Sequence, residues 1–123
     1  MSGCLFFDID GTLVDSEHGE IMPSSSCLEA IHKVQKNGYR CLISSGRNLG
    51  GLKEYRNLGL DGYIFSDGAG ILLEGEDPIL TPITDELVQA FVHQVMGEFH
   101  GEIMMSTIDE FFASPNQYDE MIE

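Results

Sequence analysis

Residues 6 to 14 read Phe6-Phe7-Asp8-Ile9-Asp10-Gly11-Thr12-Leu13-Val14, and the fold class turns on this stretch. An apolar run that begins at Cys4 ends in two carboxylates two residues apart. Alternation along a strand puts Asp8 and Asp10 on one face. Gly11 lets the chain turn sharply just past the strand end, and Thr12 adds a hydroxyl. Two acids held this close are neutralised by a divalent cation, or one of them carries a proton. The arrangement suits chemistry on a phosphate group with magnesium. A calcium loop fits poorly. Its glycine would stand sixth after a preceding helix, whereas Gly11 is fourth from Asp8 and follows a strand.

Working outward, the chain alternates strand and helix. Cys4 to Ile9 is apolar but for Asp8 near its end, as expected of a strand buried on both faces. Asp10 to Pro23 is polar and irregular and reads as a loop or small flap. Ser26-Cys27-Leu28-Glu29 matches a capping box, with Ser24 as an earlier alternative start. Leu28, Ile31, Val34 and Gln35 follow at helical spacing, and Asn37-Gly38 stops the helix. Arg40 to Ile43 is a second strand, Leu49 to Asn57 a weak helix, and Tyr63 to Ser66 a third strand. This β-α-β-α-β order predicts an α/β fold with a parallel sheet and right-handed crossovers.

Beyond it the pattern changes. Asp67 to Gly70 reads as a turn, and Ile71–Leu73 with Ile79–Thr81 as a hairpin. Thr84-Asp85 caps a predicted helix over Glu86 to Phe99, with Leu87, Phe91, Val95 and Phe99 on one face. Ile103–Thr107 and Phe111-Phe112 suggest two further strands, Met104 and Met105 are expected to pack among them, and the acidic tail from Tyr118 is expected to be mobile.

A second constellation follows strand two: Leu42-Ile43-Ser44-Ser45-Gly46-Arg47. A hydroxyl and adjacent backbone N–H groups at a strand-to-helix turn make a phosphate cradle. In open α/β sheets, ligands bind at the carboxyl ends of the strands, which places Ser45 and Gly46 beside Asp8 and Asp10. Arg47 either contacts substrate or pairs with an acid.

The DxDGT run at Asp8–Thr12 resembles the first motif of the haloacid dehalogenase-like phosphohydrolases, and Ser45-Gly46-Arg47 resembles the second motif of their sugar-phosphatase-like, Cof-type branch (class IIB). Ser45 stands where most of that branch has Thr. Ser66-Asp67-Gly68-Ala69 resembles its usual Asn-Gly-Ala turn, with Asp67 in place of Asn. The resemblance implies a partial Rossmann-like core over residues 1–83 and the start of an α/β cap over residues 84–123. It implies a magnesium-dependent phosphohydrolase acting on a small phosphorylated metabolite, such as a sugar phosphate. Asp8 is then the nucleophile that forms an aspartyl-phosphate, and Asp10 the general acid and base. Asp8 and the Asp10 backbone carbonyl hold Mg2+. Ser45, Gly46 and Thr12 bind phosphoryl oxygens, and Arg47 and Asp67 are weaker substrate candidates.

The same resemblance shows gaps. The family's third-motif Lys has no counterpart, since Lys33, Lys36 and Lys53 fall in the first two helical segments, and no GDxxxD follows the cap-like segment. Without the strands that lie beyond it, the first strand becomes an exposed apolar edge that invites self-association or a complementing partner. A non-catalytic binding protein of the same fold is therefore the first alternative. A phospho-receiver domain, with Asp67 as acceptor, is a remote one.

Composition bounds partners and surroundings. With 42% hydrophobic residues the 123-residue chain can build a core. Its 21 acids against 6 bases give a net charge of −15, which argues against nucleic acid and anionic membranes as partners. Cys4, Cys27 and Cys41 have no metal-binding spacing, and Cys4 and Cys41 are expected in the core. The opening residues carry no secretory pattern, and a reducing cytoplasm is expected.

Overall fold

The apolar run that follows the first residues forms strand β1, Gly3–Phe7, in a computed structural model that describes residues 3–114. It pairs in parallel with β2, Tyr39–Ser44, so that Phe6 lies beside Leu42 and Phe7 beside Ile43. The second strand pairs in parallel with β3, Gly62–Phe65, in the register Ile43 to Tyr63 and Ser44 to Ile64. Three parallel strands thus end side by side, and the segments after Phe7, Ser44 and Phe65 leave from one edge.

The predicted hairpin joins the same sheet. Strand β4, Gly70–Leu73, runs antiparallel to β3, and β5, Ile79–Leu80, runs antiparallel to β4, giving the order β1-β2-β3-β4-β5. A phospho-receiver would continue with a helix and a parallel strand, so this return runs against that alternative. Phe65 faces Gly70 across the β3–β4 pair.

Helix α1, Ser25–Lys36, starts at the earlier of the two predicted positions, because the Ser24 hydroxyl accepts the Cys27 N–H. Ile31 is its buried residue, with Cys27 and Val34 packed beside it. The core also gathers Ile9, Val14, Cys41, Ile43, Leu52, Tyr55, Tyr63, Phe65 and Leu72. Gln35 and the Cys41 N–H both donate to the Asp61 carboxylate, which ties α1 to β2. Burial, with the nearby Asp61 charge, pushes the Cys41 thiol up. Tyr63 donates its hydroxyl to the Tyr55 carbonyl, and burial pushes its phenol up to about 12.

Several expectations need correction. Strand β1 lies at the sheet edge with Cys4, Leu5 and Phe6 exposed, so it is not buried on both faces, and Cys4 is no core residue. The predicted helix over 49–57 is two separate 3-10 turns, Gly50–Leu52 and Tyr55–Asn57, as the two glycines weaken continuous winding. Helix α2 is regular only over Asp85–Val92, capped by the Thr84 hydroxyl, and widens to π-helical winding over His93–Glu98. Its apolar residues Leu87, Phe91 and Phe99 are exposed, as are Met104 and Met105 on the small antiparallel pair β6, Met104–Ser106, and β7, Phe111–Ala113. The predicted mobile tail lies outside the described residues. Among the described residues no helix is long and apolar enough to cross a membrane.

Candidate active site

Past Phe7 the backbone closes a tight loop around one carbonyl. The N–H groups of Thr12, Leu13 and Val14 all point to Ile9 O at 3.0–3.1 Å, and the Gly11 N–H reaches Val14 O at 2.9 Å. Gly11 has φ +82°, a conformation that costs glycine little. Ile9 is fully buried, and the acids on either side of it are exposed. The apolar residue between the two carboxylates therefore anchors the loop, while Asp8 and Asp10 stay at the surface. The Asp8 Oδ1 accepts the Ile9 N–H at 2.9 Å.

Asp10 is firmly held. The Arg47 Nη2 donates to its Oδ1 at 2.7 Å and Nε to its Oδ2 at 3.2 Å, and Ser16 adds a hydroxyl donor at 2.6 Å. The hydrogen bonds from Arg47, then from Ser16, keep the Asp10 carboxyl below the usual carboxylate range. The Asp10 bond in turn raises the guanidinium, which also lies 5.5 Å from the centre of the Tyr55 ring. The sequence left open whether Arg47 meets substrate or an acid, and in this structure it is on Asp10. Because Asp10's folded value is depressed, the pair stabilises the fold above the unfolded carboxyl range and loses that contribution as pH falls through the folded value. With the Asp10 side chain 48% exposed, the contribution is small.

The second loop is built differently. Ser45 is buried, and its hydroxyl accepts the Arg47 N–H at 3.1 Å, which leaves its own hydrogen free to donate. The Ser45 N–H donates to Ile64 O, the Asp67 N–H to Ser45 O, and the Ser66 N–H to Arg47 O. The turn after β3 is thus stitched to the Ser45–Arg47 loop. Gly46 leaves room for the Asp67 carboxylate, since a Cβ there would lie 3.1 Å from Asp67 Oδ1. Ser45, Gly46 and Asp67 form one cluster, and Asp10 with Arg47 another. They share Arg47, whose backbone is in the first and whose guanidinium is in the second. Thr12 is exposed, and its N–H is already taken by Ile9 O.

Asp67 has φ +54° and Ser66 φ +49°, a left-handed pair that Asp and Asn tolerate best. Asp67→Asn is expected to leave thermal stability nearly unchanged. Asp67→Val should lower it by about 1–2 kcal/mol, the cost of left-handed backbone for a branched residue. Equal stabilities of the two variants in thermal melts would show that this backbone is not constrained as described.

Sequence reasoning missed Ser16 and Asn48. Ser16 sits in the flap read only as irregular, and Asn48 follows the motif it belongs with. Asn48 stands between Arg47 and the Leu49-Gly50-Gly51-Leu52 run, and nothing in that local pattern marks it as buried. Among the described residues, no group of three or more His, Cys, Asp or Glu side chains is placed to hold a metal ion.

Residues 5–123 match the profile of a family described as haloacid dehalogenase-like hydrolase. The chain is 26% identical over 106 residues to YkrA of Bacillus subtilis (strain 168), a candidate phosphatase by name, covering 85% of this chain and 40% of that one. Among solved structures it resembles BT1666 from Bacteroides thetaiotaomicron, studied among phosphatases of that superfamily, at 25% identity and a TM-score of 0.80 over 99% of this chain and 45% of that one. It also resembles the subclass IIB sugar phosphatase BT4131, at 31% identity and a TM-score of 0.70 over 99% of this chain and 47% of that one. The chain spans less than half the length of each of these relatives.

Proposed function

The chain belongs to the haloacid dehalogenase-like hydrolases, and from that premise we propose that it carries the nucleophile side of a magnesium-dependent phosphohydrolase acting on a small phosphorylated metabolite. A sugar phosphate is the favoured class, by analogy with the sugar phosphatase it resembles. The observation that carries this reading is the delivery of Asp8, Asp10 and the Ser45–Arg47 loop from neighbouring ends of parallel strands. Within this reading, residues 1–83 are the core part and residues 84–123 the opening of the cap.

The Asp8 carboxylate attacks phosphorus in line, forming an O–P bond as the bond to the leaving oxygen breaks. Asp10 gives the departing alkoxide its proton. Water then attacks the aspartyl-phosphate, Asp10 takes the proton, and the bond to Asp8 breaks to release phosphate. Ser45, through its free hydroxyl hydrogen, and the Gly46 and Thr12 segments hold the phosphoryl oxygens. Arg47 holds Asp10 as a carboxylate, the state that takes a proton from water. For Asp10 to donate a proton Arg47 must leave it, and an arriving phosphate offers the guanidinium an alternative bidentate partner.

Magnesium suits the oxygen donors present. Arg47 and Ser16 occupy the Asp10 side chain, so the residues that would hold the ion are the exposed Asp8 carboxylate and the Asp10 main-chain carbonyl. When bound, the ion would offset the charge of carboxylate and phosphate, on a chain whose net charge of −15 otherwise repels the substrate.

Binding without turnover is the second reading. It is favoured by the lack of a three-ligand cluster for a metal ion among the described residues. A beryllofluoride titration in magnesium, followed by 19F NMR, tests the role of Asp8. A bound signal is expected for the wild-type chain and not for Asp8→Asn. The same signal from both would remove Asp8 as the acceptor, and labelling of Asp67 by acetyl phosphate would favour a receiver instead.

A further inference from the structure

The loop after the second motif makes contacts that the proposed chemistry does not use. Asn48 is 1% exposed, and every polar atom of its amide is engaged. Its Oδ1 accepts the Gly51 N–H at 2.9 Å, while Nδ2 reaches the Ser106 hydroxyl and the Glu110 carbonyl, each at 3.4 Å. Ser106 and Glu110 flank the turn between β6 and β7. Next to Asn48, the Gly50 N–H donates to Ile108 O at 3.0 Å, and Ile108 packs against the main core. The approach is close enough to require glycine, because a Cβ on Gly50 would lie 2.9 Å from Asp109 O and 3.0 Å from Asp109 Cα.

The other side of the same loop touches Arg47. A Cβ on Gly51 would stand 3.4 Å from Arg47 Cβ and 3.8 Å from its Cδ, so Gly51 lies beside the stem of that side chain, within the reach of one methyl group. The Gly51 N–H is the group that Asn48 holds. One buried amide therefore joins the β6–β7 turn on one side to the support of the Arg47 side chain on the other.

We propose that Asn48 is a positioning residue that transmits the docking of the β6–β7 turn to Arg47, and through Arg47 to Asp10. Docking of the turn fixes Asn48, and Asn48, next to Arg47 in the chain, holds Gly51 beside the Arg47 stem while the guanidinium grips Asp10. Undocking the turn loosens that grip. The β6–β7 segment thus sets the state of the catalytic acid without touching it. The catalytic consequence rests on the role given to Asp10 above, whereas the coupling itself does not.

Hydrogen exchange by NMR on this chain tests the coupling with no turnover measurement, so its failure is separate from failure of the phosphatase reading. In Asn48→Ala the Gly50 and Gly51 N–H groups are expected to exchange up to about tenfold faster, as follows from the loss of one hydrogen bond. The Arg47 Nε–H, which donates to Asp10, should also exchange severalfold faster, while the Asp61 N–H, bonded to Cys41 O, keeps its rate. Asn48→Asp retains the acceptor and should restore protection at Gly51 but not at Gly50. Gly50→Ala acts from the opposite side. It displaces Asp109 and should speed Arg47 Nε–H exchange with Asn48 intact, so it decides the matter if Asn48→Ala does not fold. Faster exchange at Gly50 with an unchanged Arg47 Nε–H, in whichever variant folds, would overturn the proposal.

Discussion

Replacing Asp8 with asparagine is expected to reduce magnesium-dependent hydrolysis of an aryl phosphate by about 10⁴-fold or more, to the level of buffer, since loss of a nucleophile has costs of this order. The substitution is conservative in structure. The Asp8 Oδ1 accepts the Ile9 N–H, and an amide oxygen accepts it equally well. The variant should therefore melt with the wild-type chain, which separates lost chemistry from lost fold. The wild-type rate is itself expected to be low. The chain has no third-motif Lys, and loss of one electrostatic donor at a developing charge costs roughly 10²–10³-fold. A steady-state assay with purified wild-type and Asp8→Asn chains, each with and without magnesium, reads the difference. Equal rates above the buffer blank would remove Asp8 as nucleophile. Equal rates at the blank, with the beryllofluoride adduct still formed on Asp8, would favour binding without turnover.

The largest effect expected on stability comes from Gly70→Ala, at about 3 kcal/mol and a fall in melting temperature of roughly 10 °C. A Cβ at Gly70 would lie 2.1 Å from Phe65 Cε2 and 2.2 Å from Cζ. The Phe65 ring is 1% exposed and belongs to the main core, so it has no solvent to turn into. The two residues are cross-strand partners in the β3–β4 pair, where the ring of one fills the space that the other leaves empty. The pair brackets the Ser66–Asp67 turn, so the strain is delivered next to the Ser45–Arg47 loop. Phe65→Leu should relieve part of the clash. The double variant is then expected to lose less than the two single variants together, by about 0.5–3 kcal/mol of coupling. Strict additivity in denaturant melts would show that ring and Cβ do not compete for one space.

The fold was legible in the sequence where local chemistry speaks unopposed. The apolar strands, the helix stop at Asn37-Gly38 and the hydroxyl caps at Ser24 and Thr84 are set by residues near in sequence. The hairpin of β4 and β5 was legible too, but not its addition to the parallel sheet by antiparallel pairing with β3. Periodicity marks an element and its buried face, and it is silent on which edge accepts a returning strand. The pattern-based reading of β1 as buried on both faces failed for the same reason, whereas the exposed apolar edge that the family resemblance implied for this strand is what the sheet order gives. A continuous apolar run reads alike in the middle of a sheet and at its edge, so the pattern alone did not put Leu5 and Phe6 at the surface. The face of α2 was read correctly as apolar, and the sequence carries nothing that says whether another element covers it.

At the site, the residue types and their spacing by themselves determined the candidate chemistry. Two carboxylates and a hydroxyl-glycine turn, each at the end of an apolar strand, suit a phosphate site, and their resemblance to the family's first two motifs is what made that reading specific. Only the tertiary structure decided how those groups are engaged. Arg47 lies 37 residues from Asp10 and forms a bidentate pair with it, Asp67 closes on Gly46, and Asn48 joins the β6–β7 turn 58 residues away. Hydrogen bonds fall off within a few tenths of an ångström, and charges near a wet surface are soon screened, so which partners meet depends on the placement of strands and turns. A sequence fixes its residue types and local geometry, and leaves those distances to the packing of the whole sheet.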